Sequence, residues 1–343
     1  MRDAFVRVLT EEMERNDRIV LITGDLGFGV LRPLWECFPE RMVNAGIAEQ
    51  GMVSMAAGLA ATGRTVIVYS IGNFPTLRPL EQIRNDCAYH NADVKIVCVG
   101  GGFVYGSLGM SHHATEDMSV MRAIPEITCF TPGDPAETEA VTRAMLQMPG
   151  TCYLRLGRGN EPKVHPSAVK NWVFPKALAL REGTDIALLS AGGILTQAMD
   201  AAQRLETKGI SAKVVSFPCL KPLDEETVRE LLASFRGLVT VEENTVTGGF
   251  GSAVCEIAAE EGSGCRVRRV GLRDCFATVV GDQQYLRQVY KMDGAAIAAE
   301  AEALYAARRV ESEKGTDAGG DPCGTAGAAA GHHRGMRPVR HRI

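Results

Sequence analysis

The sequence predicts an α/β fold of two domains, each a mostly parallel sheet with helices on both faces, and three observations predict it. Short β-branched runs alternate with helical patterns through the first half: RIVLIT (18–23), TVIVYSI (65–71), VKIVCVG (94–100), ITCF (127–130) and TCYLRL (151–156). That order builds a parallel sheet covered by helices. The alternation then stops at EPKVHPSAVKNWVFPK (161–176), which has three prolines, two lone aromatics and no sustained period, the composition of a linker. It resumes with DIALLS (185–190), AKVVSF (212–217), GLVTVEE (237–243) and CRVRRVGL (265–272).

The elements follow in order. MRDAFVRVLTEEMERND is an amphipathic helix with mixed charges, and the first domain's other helices fall at about 48–62, 76–89 and 134–147. The second domain's helices fall near 194–208, 224–234, 249–261 and 283–305. The domains therefore read as 1–160 and 185–308, with a linker at 161–184. From 309 to 343 the chain has Gly, Ala and Arg but almost no large apolar residue, so this tail is expected to be disordered.

Composition excludes several classes of function. With 343 residues, 45% hydrophobic content and a net charge of −4, the chain is long enough for two cores. It has no basic stripe to displace counterions from a nucleic acid. No charged stub precedes an apolar segment, so neither secretion nor membrane insertion is expected, and the cytoplasm is the expected compartment. The ten cysteines are scattered, without a C-x-x-C pair, and read as small core residues rather than disulfide partners. His112–His113 lacks partners at ligand spacing beyond Glu116. No metal site is expected on this chain.

Glu49 opens NAGIAEQGMVSMAAGLAATG, a helix with almost no polar face. Such a helix is expected to be buried on all sides, in a domain centre or at a subunit interface. A carboxylate there is costly unless paired, hydrogen-bonded or protonated. The plainer reading is an acid placed in the first turn by the helix dipole.

The GDLGFG turn (24–29) puts Asp25 after the first strand, at the sheet's carboxyl end, where ligands of open α/β sheets bind. It is not G-x-G-x-x-G. In SIGNFPTLRPLEQIRNDCAYH, Phe74 and Arg78 follow the next strand; the aromatic either stacks on a flat ring or plugs the sheet end. A Gly-rich loop, GGGFVYGSLGMSHHATED, ends in His112 and His113, poor core residues and good proton carriers. LRLGRGN carries Arg158, a substrate ligand or simply a solvated charge at a strand end.

Together, GIAEQ, the R-x-x-EQIR run, S-H-H in the place of T-H-Q, RAIPE and TPGDPAE resemble the pyrimidine-binding half of transketolases. VVSFPCLKPLD and VTVEENTVTGGFGSAV are similar to the C-terminal domain of the same thiamine-diphosphate-dependent family. The resemblance covers roughly residues 1 to 308, and the chain is close in size to the C-terminal subunit of split transketolases. It implies ketol transfer between sugars and a thiamine-diphosphate pyrimidine-binding fold followed by a transketolase C-terminal domain.

By that resemblance Glu49 matches the catalytic glutamate that hydrogen-bonds N1′ of the aminopyrimidine, and Phe74 would stack on that ring. Asp25, Leu26 and Ile47 match positions that line the cofactor. His112 matches the histidine that handles substrate hydroxyls, and Arg78 and Arg158 fall on the substrate side; His113, where the family usually has Gln, is placed with the substrate-binding residues without a matching role. The G-D-G and later Asn that hold the diphosphate with Mg²⁺ or Ca²⁺ in this family do not occur here. The resemblance thus implies a partner subunit with that half-site, in an α2β2 assembly. A 2-oxo acid dehydrogenase β-subunit, a deoxyxylulose-phosphate-synthase-like enzyme and a non-catalytic scaffold subunit are the alternatives. Leu108 stands where transketolases have an Asp for the acceptor hydroxyl, and Gly100 near where they have a phosphate-contacting His.

Overall fold

Runs of Val, Ile and Leu without polar alternation make stable strands only when both faces are covered. In the computed structural model, which describes residues 1–316, they are covered. The strands of the first half are β1 (Ile19–Thr23), β2 (Met42–Asn44), β3 (Thr65–Ile71), β4 (Val94–Val99), β5 (Thr128–Phe130) and β6 (Cys152–Leu156). Those of the second are β7 (Leu178–Arg181), β8 (Ile186–Ala191), β9 (Ala212–Ser216), β10 (Cys219–Lys221), β11 (Gly237–Thr245) and β12 (Arg266–Leu272). Every residue of β1, β4, β6 and β8 is buried.

Two sheets result, a seven-stranded one in the order β10-β5-β6-β4-β3-β1-β2 and a five-stranded one in the order β12-β11-β8-β9-β7. All pairings are parallel except β10 with β5 and β7 with β9, at the sheet edges. Because β4, β3, β1 and β2 lie side by side and parallel, the segments following them open at one end of the sheet, its carboxyl end. Those segments carry Asp25, Glu49, Phe74 and His112.

Four details depart from the expectations. β10 leaves the second half to pair with β5, with Thr131 N donating to Pro218 O at 2.8 Å, so the first sheet borrows an edge from the second domain. The helix expected over 76–89 is broken into Phe74–Leu77, Leu80–Gln82 and a π-turn at Ile83–Ala88. Pro79 causes the break, having no N–H and clashing with the preceding turn. The helix expected over 283–305 is two, Gln283–Val289 and Gly294–Thr316, hinged at Lys291, whose φ is 58°. The second runs into the segment expected to be disordered; residues 317–343 of that segment lie outside the described residues.

The fourth concerns the Glu49–Ala61 helix, which is not buried all round. Met52, Val53 and Ala56 join the core, but Gln50, Gly51, Ser54, Met55 and Gly58 face outward. In this chain the helix packs by one face and leaves a small, largely apolar one open.

A buried polar network ties the halves together. Glu243, on β11, accepts from Phe103 N at 2.6 Å and from Gln283 Nε2 at 2.8 Å, and pairs with Arg287 at 2.5 Å. Arg155 donates to the carbonyl of Glu243 at 2.9 Å and pairs with Asp117 at 2.9 Å. Gly102, at φ 64°, lets the loop approach this carboxylate where any Cβ would strike Glu243.

The linker segment is also tied down. His165 places Nδ1 3.2 Å from Asp134 and Nε2 3.6 Å from Glu137, both at the start of the Pro135–Gln147 helix. These three groups stand close enough to share a cation. Yet each ring nitrogen faces a different carboxylate, and Asp134 already accepts from the N–H groups of Glu137, Val164 and His165. The arrangement is a bridge between linker and helix.

Burial pushes the Glu137 carboxyl up to about 7. Burial alone would lower His165, but its hydrogen bond to Asp134 raises it. Burial would likewise raise Asp134, but the bonds from His165 and the backbone N–H groups hold it at about 2.

Glu137 and His165 thus bind protons more tightly folded than unfolded, so their contribution is complete at low pH and lost as pH rises through their folded values. Asp134 has the opposite sign, losing its contribution only as pH falls towards about 2. Stability is therefore expected to decline from about pH 4.5 to 8, with Glu137 alone contributing on the order of 3 kcal/mol, and Glu137→Gln making the decline shallower while the buried Glu242 carboxyl, also raised to about 7, keeps its share. Thermal unfolding of both proteins across that range tests this, and parallel curves would refute it.

Candidate active site

Glu49 occupies the first turn of its helix, where unpaired backbone N–H groups favour an anion, and it is only 6% exposed. Across the helix break, Arg78 Nη1 lies 2.6 Å from Glu49 Oε1. The same guanidinium sits over the face of Phe74, 4.1 Å from the ring centroid. The edge of His112 meets the Phe74 ring at a centroid distance of 5.2 Å. Four residues singled out in the sequence thus form one continuous group.

Local backbone explains the placement. His112 ends a short 3-10 turn, Met110–His112, with Ser111 Oγ 3.1 Å from its Nδ1. Gly72, at φ 44°, brings the end of β3 against the carbonyl of His112, where a Cβ would sit 3.2 Å away. This close approach sets His112 beside Phe74, which opens the next helix.

Asp25 lies on the exposed rim in the left-handed region, at φ 56°. Asn44 fixes it: Asp25 N donates to Asn44 Oδ1 at 2.9 Å, and Asn44 Nδ2 donates to Asp25 Oδ1 at 3.1 Å. Gly46 N donates to the same Asn44 oxygen at 3.0 Å. Asn44 therefore couples the turn after β1 to the approach to Glu49, a role sequence reasoning missed. Ile47 is 75% exposed on that approach, a large apolar side chain left uncovered by the described residues.

Leu26 and Arg158 line a neighbouring cleft of about 640 Å³ together with Tyr69, Tyr105 and Arg2. Arg158 stands over the Tyr105 ring, 5.5 Å from its centroid. Neither Arg2 nor Tyr105 was singled out by the sequence reading. A side chain at position 100 would run into the Tyr105 ring.

His113 departs from its neighbour. It is 2% exposed, with its ring edge on Phe103 at 5.2 Å and Nε2 3.4 Å from Gly106 O. Burial lowers its pKa. The structure turns it into the interior, away from the His112 group, so its expected place on the substrate side is corrected by its packing. Leu108, half exposed, presents apolar surface on the same loop as His112.

The group can bind a flat, polar heteroaromatic ring. A nearly sealed carboxylate beside an aromatic face already holds one planar N–H donor, the Arg78 guanidinium, by a hydrogen bond and by stacking. These residues fit the aminopyrimidine of thiamine diphosphate.

Comparison with known proteins gives the family. Residues 1–163 match the family "Transketolase, pyrimidine binding domain" and residues 175–297 match "Transketolase, C-terminal domain". A putative transketolase C-terminal section of Methanocaldococcus jannaschii is 34% identical over 87% of this chain and 94% of its own length. An apulose-4-phosphate transketolase subunit of Actinobacillus succinogenes is 32% identical over 82% of this chain and 90% of its own length. Among solved structures, a split-gene transketolase in an inactive beta4 tetramer superposes with a TM-score of 0.82, at 34% identity over 89% of this chain and 98% of that one.

Proposed function

The chain belongs to the thiamine-diphosphate-dependent transketolase family of transferases, and from that premise we propose that it is the pyrimidine-binding, C-terminal subunit of a split transketolase. It moves a two-carbon ketol unit from a ketose phosphate to an aldose, jointly with a partner subunit that holds the diphosphate and a divalent metal, Mg²⁺ or Ca²⁺. The observation carrying this reading is the buried Glu49 carboxylate set beside the Phe74 ring and already engaged with one planar donor.

Thiamine diphosphate, when bound, supplies the nucleophilic carbon that takes up the two-carbon unit. This chain orients it. Glu49 holds a proton at the N1′ ring nitrogen, Phe74 stacks on the ring, and Asp25, Leu26 and Ile47 line its surroundings. His112, beside Phe74, hydrogen-bonds and exchanges protons with substrate hydroxyls, while Arg78 and Arg158 meet its anionic end.

The open face of the Glu49–Ala61 helix and the uncovered Ile47 support an assembly in which other subunits cover this edge, with α2β2 as the proposed form. Among the described residues no helix is long and apolar enough to cross a membrane, and the proposed compartment is the cytoplasm.

Donor choice tests the reaction. With the partner, thiamine diphosphate and Mg²⁺, the expected result is product from ketose phosphates and no carbon dioxide from pyruvate or branched 2-oxo acids. Carbon dioxide release would instead assign the chain to a 2-oxo acid dehydrogenase or a deoxyxylulose-phosphate-synthase-like enzyme.

A further inference from the structure

Arg78 makes two contacts that a ligand of this site would make. Its guanidinium pairs with Glu49 at 2.6 Å and covers the Phe74 face at 4.1 Å. The carboxylate is nearly sealed whereas the arginine is about half exposed, so the pair is open to solvent from the arginine's side. A guanidinium and an aminopyrimidine share flatness, in-plane N–H donors and the capacity to stack. Two such groups cannot occupy one carboxylate and one ring face together.

We infer that Arg78 holds the seat of the pyrimidine ring while the site is empty, and that the ring enters by displacing it. The inference rests on the pyrimidine-half reading above. While seated, the arginine compensates a buried carboxylate that would otherwise stand uncompensated and keeps Glu49 and Phe74 in register. Its position allows release. Arg78 ends the short Phe74–Leu77 helix directly before Pro79, where the helical ladder is interrupted. Its backbone carbonyl is held by Gln50 Nε2 at 3.4 Å, so the side chain can turn out while the backbone stays anchored.

The cost of displacement reduces apparent cofactor affinity, since only the vacated state binds. A half-exposed ion pair and one cation–π contact together amount to roughly tenfold.

The test is thiamine diphosphate binding to the reconstituted assembly with Mg²⁺ and no sugar, followed by calorimetry and by stopped-flow tryptophan fluorescence. Arg78→Met keeps a stem on Phe74 but removes the planar donor. It is expected to bind the cofactor roughly tenfold more tightly and to associate faster than wild type. A merely structural arginine would give the opposite change.

Arg78→Lys, which keeps the charge and loses the flat fork, is expected to fall between the two and serves if the methionine variant does not fold. Equal or weaker binding by the folded variants would overturn the inference while leaving the pyrimidine-half reading intact. Wild-type assembly that bound no thiamine diphosphate would overturn that reading itself.

Discussion

Glu49→Ala in the reconstituted enzyme is expected to lower ketol-transfer turnover by about 10³-fold, within the span typical of removing a positioned proton-transfer group. The expectation follows from placement. The carboxylate is almost sealed at the start of its helix, and its side-chain partner is one displaceable arginine. Among the described residues, no other acid joins the group formed by Phe74, Arg78 and His112 to take over the proton.

Glu49→Gln keeps the side chain's shape and can still accept a hydrogen bond, but it cannot hold an exchangeable proton, so a comparable loss is expected. Folding should hardly change, because the arginine left behind is about half exposed and such pairs contribute at most about 1 kcal/mol. Stopped-flow and steady-state assays with unfolding controls separate the two effects. Undiminished turnover would remove Glu49 as proton carrier and favour a scaffold subunit.

The largest stability effect is expected at Glu243. Its side chain accepts from Phe103 N and Gln283 and pairs with Arg287, which is itself buried. Glu243→Ala strands a buried cation and a backbone N–H together, a loss of about 3–5 kcal/mol. The exposed pair Arg32–Glu36 is the internal reference, where Glu36→Ala should cost less than about 0.5 kcal/mol. Urea unfolding of both variants decides it. Similar midpoints would mean that the network contributes no more than a surface pair.

The sequence revealed what has a strong period. β3 falls at Thr65–Ile71 as its β-branched run predicts, and the helices at Glu49–Ala61 and Pro135–Gln147 fall within a residue of expectation. What it concealed is short or non-local. β2, β7 and β10 are three or four residues long, too short for a period to register, and unlike the equally short β5 none stood out as an apolar, β-branched run. β10 also pairs with a strand of the other half, which no local pattern encodes. Pro79 was present as a breaker just before LEQIR, and the continuous 76–89 helix passed over it.

The site divides in the same way. Glu49, Phe74, Arg78 and His112 were legible as residue types at sheet-end positions, and the structure joins them. Their pairing was not legible, because Arg78 reaches Glu49 across 29 positions of chain. Asn44, Tyr105 and Arg2 carried no signal of their own, since each acts through a contact set by the tertiary fold. His113 misled because two adjacent histidines on one loop face opposite ways, one to Phe74 and one to Phe103.

The central claim is that this chain supplies the pyrimidine half of a shared active site. Ketol transfer from a ketose phosphate to an aldose, with thiamine diphosphate and Mg²⁺, tests it most directly when measured for the chain alone, the diphosphate-binding partner alone and their mixture. Turnover in the mixture only, saturating as the partner is titrated in, is the predicted result; turnover by the chain alone would contradict it.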